Sequence, residues 1–164
     1  MPIPDRLQMA KLARTAKGGI ITVPRAAEAL GVARRSAATR LAGLARRGWV
    51  HRARRGLYLM LPLEAESGRL AVAEDPWVLA REAFFPCYLG GWSAAEHWGL
   101  TEQIFRSTLV VTAAHVRARS VKLLGHNFRL FRVRHSRVAH LPSVWRGAER
   151  VPVSDRERTI VDCL

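Results

Sequence analysis

The chain has 164 residues, a mass of 18.3 kDa and a hydrophobic fraction of 49%, enough for a packed core in one large or two small domains. Cys87 and Cys163 lack the spacing of a disulfide framework or a zinc site. No apolar run reaches the roughly 18 residues of a membrane span, and the N-terminus lacks a signal-peptide core. These features exclude disulfide-rich and membrane-spanning classes and predict a cytoplasmic globular protein.

Positive charge is concentrated in the first third of the chain. The net charge is +14, and residues 1–62 hold 13 Lys and Arg against Asp5 and Glu28, a net +11. The other residues, with 14 basic and 11 acidic groups, add only +3. An anionic partner would neutralise such a field, and nucleic acid is the commonest one. A solvated basic face without a partner is the alternative that charge alone leaves open.

The first predicted elements are a helix, a short strand and a second helix. Residues 7–13 follow the period of an amphipathic helix, whose start Pro4 and Asp5 mark. Residues 20–23 suit a strand because all four are β-branched. A helix of about two turns then begins at Pro24 and closes at Gly31.

The third predicted helix follows almost at once and is basic. Its apolar residues form one stripe and its arginines occupy the remainder, up to Gly48. Ala33 stands where a Ser or Thr N-cap is usual, so the cap is supplied otherwise or the helix begins at Ser36. Two short helices joined by a tight turn, the second one basic, are typical of a helix-turn-helix.

A β-hairpin is predicted next. Residues 49–53 and 57–61 are apolar-rich runs around Arg54, Arg55 and Gly56, and glycine allows the positive φ of the turn. This order of helices, strand and basic hairpin resembles a winged helix-turn-helix. Residues 1–62 are therefore predicted to be a DNA-binding domain.

Two sets of residues are predicted to contact DNA. The base-reading candidates lie in the first two turns of the third helix, where a recognition helix reaches base edges: Arg34, Arg35, Ser36, Thr39 and Arg40. The phosphate-contacting candidates, of which the hairpin arginines could also enter the minor groove, are Arg25, Arg47, His51, Arg52, Arg54 and Arg55. A winged helix used for protein contacts and a basic RNA-binding surface stay open, although RNA binders of single strands usually interleave aromatic residues.

Residues 63–164 are predicted to form a second, smaller domain of mixed helices and strands, so the expected fold class is α+β. Residues 62–76 are a linker or a first packing element. Asp75 caps a helix that starts at Pro76 and buries the phenylalanines at 84 and 85. Ser93 and Glu96 form the capping box of a short helix that ends before residue 99.

The remaining elements are strands and a last helix. Strands are predicted over 108–113 and 151–153, with a hairpin of 121–124 and 128–133 between them. Ser154 and Glu157 repeat the capping box. Because this helix has little chain left to bury its apolar residues, we expect a fragment whose second domain is incomplete.

No catalytic constellation is visible. His97 follows Glu96 without a His-Glu-x-x-His pattern, and neither a phosphate-binding loop nor a dinucleotide fingerprint is present. Cys87 is predicted to be a buried small hydrophobe, and Trp92 and Trp98 to be core residues. The chain is therefore predicted not to be an enzyme and to hold no metal or cofactor.

Four blocks in order resemble the AbiEi-type antitoxins of type IV toxin-antitoxin systems. They are the winged helix ending RRGLYLMLP, then DPWVLAREAF, YLGGWSAAEHWGL and VPVSDRERTIVDCL. The resemblance implies an N-terminal domain that represses its own operon at inverted repeats in double-stranded DNA. It also implies that residues 63–164 counteract a nucleotidyltransferase-like toxin. A one-component regulator that senses a ligand through a Trp-rich pocket, and a DNA-tethered nuclease with a catalytic domain beyond Leu164, are the alternatives.

Overall fold

The computed structural model describes residues 6–61 and 72–164, and its contacts divide the chain into two compact units, Met1–Glu74 and Asp75–Leu164. Helices and strands occur in both units, so the predicted α+β class is confirmed. The predicted boundary after residue 62, most of the predicted linker and the start of the first helix at Pro4 and Asp5 lie outside the described residues.

The first unit combines three helices with a three-stranded antiparallel sheet. Its elements are α1 (Arg6–Thr15), β1 (Ile20–Thr22), α2 (Val23–Leu30), α3 (Arg34–Arg46), β2 (Val50–Arg54) and β3 (Leu57–Met60). The strand order is β1-β3-β2, which leaves β2 at an edge. The core lies between the helices and the sheet and includes Leu12, Ile21, Leu41, Leu44 and Tyr58.

A tight turn between α2 and α3 sets the direction of α3. Gly31 adopts a left-handed conformation with φ +62°, which ends α2 as predicted. The amide of Val32 then donates to the carbonyl of Ala27, 3.0 Å away. Helix α3 starts at Arg34 rather than Ser36, and Ala33 gives it no side-chain cap.

The hairpin of β2 and β3 also follows the prediction. Gly56 has φ +80° in the two-residue turn. A register shift between Arg52 and Arg54 interrupts the pairing of β2 with β3. Such an irregularity bends and twists an edge strand, so exposed and buried side chains do not alternate regularly along β2.

The second unit is built around a four-stranded mixed sheet. Its elements are α4 (Pro76–Phe84), β4 (Cys87–Leu89), α5 (Gly91–His97), β5 (Thr108–Thr112), β6 (Ser120–Leu123), β7 (His126–Arg132), a 3-10 helix (His135–Val138), β8 (Ser143–Arg146), β9 (Glu149–Pro152) and α6 (Arg156–Cys163). The order is β4-β5-β7-β6; β5 and β7 are parallel and the other pairs antiparallel. Strands β8 and β9 form a separate hairpin.

Both predicted capping boxes are wrong. Helix α5 begins at Gly91, so Ser93 lies inside it, where its Oγ accepts a hydrogen bond from the amide of Leu109 at 2.8 Å. Ser154 is buried with its Oγ 2.7 Å from the Thr159 hydroxyl, and Asp155 caps α6 instead. In both cases the serine that the local pattern assigned to a helix end makes a different hydrogen bond.

The prediction that both phenylalanines are buried is also wrong for one of them. Phe84 is buried, whereas Phe85 is 75% exposed. Helix α4 ends at Phe84, and the extended backbone of Phe85, with φ −54° and ψ 139°, turns away from the helix. Strands β4 and β8 were not predicted.

Asp75 caps α4 as predicted and makes an additional ion pair. Its Oδ1 accepts hydrogen bonds from the amides of Trp77 and Val78, at 2.7 and 3.1 Å. Its Oδ2 lies 2.9 Å from Nε of Arg146, a half-exposed pair. The helix cap and the β8–β9 hairpin therefore share one carboxylate.

Replacing Asp75 by Ala should lower the free energy of unfolding of the second unit by about 1–2 kcal/mol, because an N-cap contributes about 1 kcal/mol and an exposed ion pair less than that. Asp75→Asn keeps an acceptor oxygen, so its free energy of unfolding should fall clearly less. Urea unfolding followed by tryptophan fluorescence measures both variants. Equal losses would mean that the ion pair, not the cap, carries the stabilisation.

Candidate functional site

The outer face of α3 presents most of the predicted base-reading residues. Burial of Ala37, Leu41 and Leu44 turns the opposite side of the helix outward. Apart from Arg34 at the first position of the helix, the exposed side chains span about 140° of the helix circumference at about 100° per residue, and they are Arg35, Ser36, Thr39, Arg40, Arg46 and Arg47. We call this set the α3 outer face.

Two side chains of this face also bond to the helix backbone. The Thr39 hydroxyl donates to the carbonyl of Arg35 at 3.1 Å, which leaves its lone pairs and methyl group facing outward. Nε of Arg47 donates to the carbonyl of Gly43 at 3.2 Å. Arg47 thus satisfies a carbonyl at the end of α3 and keeps its terminal guanidinium nitrogens for other contacts.

A groove of about 490 Å³ separates α3 from the β2–β3 hairpin. We call it the hairpin groove. It brings Thr39, a predicted base reader, beside Arg52 and Arg55, two predicted phosphate contacts. The small side chains of Ala38 and Ala42 keep it open on the helix side.

Arg25 and Arg34 lie elsewhere. They line a second groove, of about 720 Å³, beside the turn between α2 and α3, and Glu28 lies in the same groove. Around α3, Arg34 is about 140° from Thr39. The structure therefore does not place Arg34 with the other predicted base readers.

Four exposed arginines of the α3 outer face and the hairpin groove have no described carboxylate nearby. Within residues 6–61 and 72–164, no carboxylate lies within 4 Å of Arg35, Arg40, Arg52 or Arg55. His51 is exposed on β2. Arg54 differs, because burial lowers the pKa of its guanidinium and it has a partner interaction.

Two features of the α3 outer face were not predicted. Arg46 lies in nearly the same row as Arg35 and Thr39, and the helical period of the sequence could have identified it. Gly43 lies in the middle of the face, where an added Cβ would meet no atom within 4 Å. Nothing in the described chain requires a glycine at this helical position.

The side chains of the second unit that were considered for chemistry are either hydrogen-bonded within the unit or buried. Nε1 of Trp92 donates to the carbonyl of Ser107 at 3.0 Å, and Nε1 of Trp98 to that of Ser154 at 2.8 Å. Cys87 is buried as predicted, and burial raises the pKa of its thiol to about 12. Burial, and then the charge of Arg146, lower the pKa of His97.

Metal clusters and membrane spans are both absent from the part of the chain that the structure describes. In the two described ranges, no group of three or more His, Cys, Asp or Glu residues could hold a metal ion. The helices found there are all too short or too polar to cross a membrane.

No protein-family model matches the chain, and no curated protein matches it. Among solved structures, the RV2827C protein from Mycobacterium tuberculosis is similar over 78% of this chain, with 22% sequence identity and a TM-score of 0.42. The chain spans 44% of that protein's length. A similarity this weak carries no argument about function, so the resemblance to AbiEi-type antitoxins stays a prediction.

Proposed function

We propose that the chain binds double-stranded DNA sequence-specifically and represses transcription, with residues 1–62 acting as a winged helix-turn-helix. In this proposal α3 is the recognition helix and the β2–β3 hairpin is the wing. The observation that carries it is the hairpin groove, where Thr39 lies beside Arg52 and Arg55. Base-reading and phosphate-binding groups are needed side by side in such a domain.

The dimensions of α3 fit this role. Its 13 residues extend about 20 Å, and its outer face is basic, with no carboxylate of the described residues within 4 Å of Arg35 or Arg40. A major groove about 12 Å wide admits one helix. Arg35, Ser36, Thr39 and Arg40 would then reach base edges, while Arg46 and Arg47 at the other end of the helix would contact phosphates.

The second groove suggests a different role for one predicted residue. Because Arg34 lies on another side of α3, beside Arg25 of α2, we assign both arginines to the DNA backbone beside the recognition helix. Glu28 in the same groove would repel phosphate if it were not balanced by these two arginines. Arg34 therefore moves from the base-reading set to the phosphate-contacting set.

We also propose that the second unit serves as an antitoxin domain against a nucleotidyltransferase-like toxin. The support for this role is the order of the four sequence blocks, which resembles that of AbiEi-type antitoxins. A one-component regulator with a ligand-sensing second unit is the second candidate. The internal hydrogen bonds of Trp92 and Trp98 argue against a sensor built on those tryptophans, whereas an arginine-lined pocket in the same unit favours a sensor of another kind.

Substituting Ala for Arg55 should weaken binding to all duplexes alike, because phosphate contacts carry no sequence information. The slope of log K against log salt should fall in magnitude by about 0.9 for each phosphate that is no longer neutralised. Thr39→Ala or Arg35→Ala should instead cost about 1–3 kcal/mol of discrimination at particular base pairs. Gel shifts of the region upstream of the gene, with and without random competitor DNA, measure both effects.

The matched control is Arg14→Ala, since Arg14 is an exposed arginine of α1 outside both grooves. This variant should keep its affinity for both specific and random DNA, because salt screens a charge that lies outside the contact surface. Equal losses for Arg55→Ala, Thr39→Ala and Arg14→Ala would mean that binding follows total charge and not the α3 outer face with its hairpin groove.

Gly43→Ala should separate stability from DNA binding. Alanine in a helix interior is about 0.5–1 kcal/mol more favourable than glycine, and the added methyl group meets no atom within 4 Å, so the free protein should become more stable. If α3 enters the major groove with Gly43 against the duplex, the same methyl group should lower DNA affinity. Unchanged affinity in the stabilised variant would show that DNA does not approach α3 at this point. Gly48→Ala is the control, because its site is equally open but its φ of +77° predicts a loss of stability.

Antitoxin activity is tested by growth rescue. Co-expression of the chain with a nucleotidyltransferase-like protein encoded beside it should restore growth that the toxin alone arrests. A variant carrying both Arg35→Ala and Arg55→Ala should rescue equally well if neutralisation belongs to the second unit. Failure of the unsubstituted chain, at matched expression, would refute the antitoxin proposal and leave DNA binding intact.

A further inference from the structure

A basic pocket of about 940 Å³ lies in the second unit. Four arginines line it: Arg132, Arg134, Arg137 and Arg158. They come from β7, from the segment after it, from the 3-10 helix and from α6. Three of them lie within the short run 132–137, and the fold brings Arg158 of α6 to that run.

The pocket lies at the carboxyl ends of the two parallel strands. β5 ends at Thr112 and β7 at Arg132, and these residues are register partners. Ala113 and Val133, which directly follow the strands, line the pocket, and the amide of Val133 donates to the carbonyl of Thr112 at 2.9 Å. In open sheets with parallel strands, ligands bind in the crevice beyond the carboxyl ends of those strands.

One of the arginines is held in place before any ligand binds. Arg158 is half-buried, and its guanidinium lies 4.6 Å from the centre of the Tyr88 ring. Its Nη2 donates to the Tyr88 hydroxyl at 3.1 Å and to the carbonyl of Arg137. A fixed guanidinium loses little entropy on binding an anion.

The other arginines are available to a ligand. Arg132, Arg134 and Arg137 are exposed, and no described carboxylate lies within 4 Å of them. Asp162 is the single acidic residue of the lining. Its Oδ1 accepts a hydrogen bond from the Tyr88 hydroxyl, and its Oδ2 is buried beside Gly90, where an added Cβ would be 2.7 Å away. Burial raises the pKa of this carboxyl group.

We propose that this pocket binds the phosphate group of a small phosphorylated molecule. One guanidinium suffices for a carboxylate, whereas four around a single cavity match the charge and the several acceptor oxygens of a phosphate ester. The cavity is larger than a phosphate ion and within the size range of small-molecule sites, so it has room for the rest of such a ligand. A concave site of this kind is distinct from the convex α3 outer face.

Isothermal titration calorimetry of the full chain with inorganic phosphate, and separately with adenosine monophosphate, tests the proposal at constant ionic strength. We expect saturable binding of at least one of them, weakened about tenfold or more by Arg134→Ala, because a hydrogen bond to a charged group contributes about 1.5–3 kcal/mol. Arg117→Ala removes an exposed arginine outside the pocket and should bind as the unsubstituted chain does. Tighter binding of the nucleotide would identify a ligand with more than a phosphate group.

Three results would overturn the proposal. They are the absence of saturable binding of both probes, equal losses in Arg134→Ala and Arg117→Ala, and a loss of duplex DNA affinity in Arg134→Ala with no effect on the phosphate titration. The last result would make the pocket part of a nucleic-acid surface. Arg132→Ala serves as a second variant if Arg134→Ala fails to fold. None of these results bears on the Thr39 and Arg55 variants, so this proposal and the proposed function fail separately.

Discussion

Burial of the inner face of α3 is the constraint on which the first unit depends. Leu41 and Leu44 are fully buried, and each buried leucine contributes about 1.5–3 kcal/mol. Since a helix is rigid about its axis, burying these two side chains also decides which residues face outward. Arg35, Thr39 and Arg46 are therefore exposed in one row as a consequence of core packing. The arginines repel one another there, with no carboxylate of the described residues paired to them, and the anionic partner of the proposed function would offset that repulsion.

The hairpin supplies the second half of the surface because its turn is short. Gly56, with φ +80°, reverses the chain within two residues and keeps Arg55 close to the sheet. The sheet in turn packs against the core that includes Leu44 and Tyr58. Arg52 and Arg55 are thereby held beside Thr39 by the same hydrophobic contacts that orient α3. A substitution in this core should therefore affect both sides of the hairpin groove together.

The elements that could be predicted from the sequence are those whose signal is local and strong. The apolar stripe of α3, the left-handed Gly31 and the Asp75 cap all appear in the structure. The failures share a cause. Ser93 and Ser154 each match a capping box within a few residues. Their hydrogen bonds, however, join them to residues far along the chain: the amide of Leu109 donates to Ser93, and Ser154 donates to the carbonyl of Leu89. The helical period alone places Arg34 about 140° from Thr39, but its position beside Arg25 depends on the crossing of α2 and α3, which the sequence does not show.

The second unit shows that net charge is a poor guide to where an anion can bind. The second unit holds 13 basic and 8 acidic residues, a net charge of only +5, yet four arginines line one cavity. They can do so because other carboxylates are engaged elsewhere: Glu82 and Glu149 pair with Arg81, and Asp75 with Arg146. The shape of each basic surface then distinguishes its partner. In the two proposals, a convex helix with a small residue at its centre enters a groove of a duplex, and a concave pocket at the ends of two strands holds a small anion. Similar chemistry, arginine against phosphate, would then be directed by the two units toward ligands of different size.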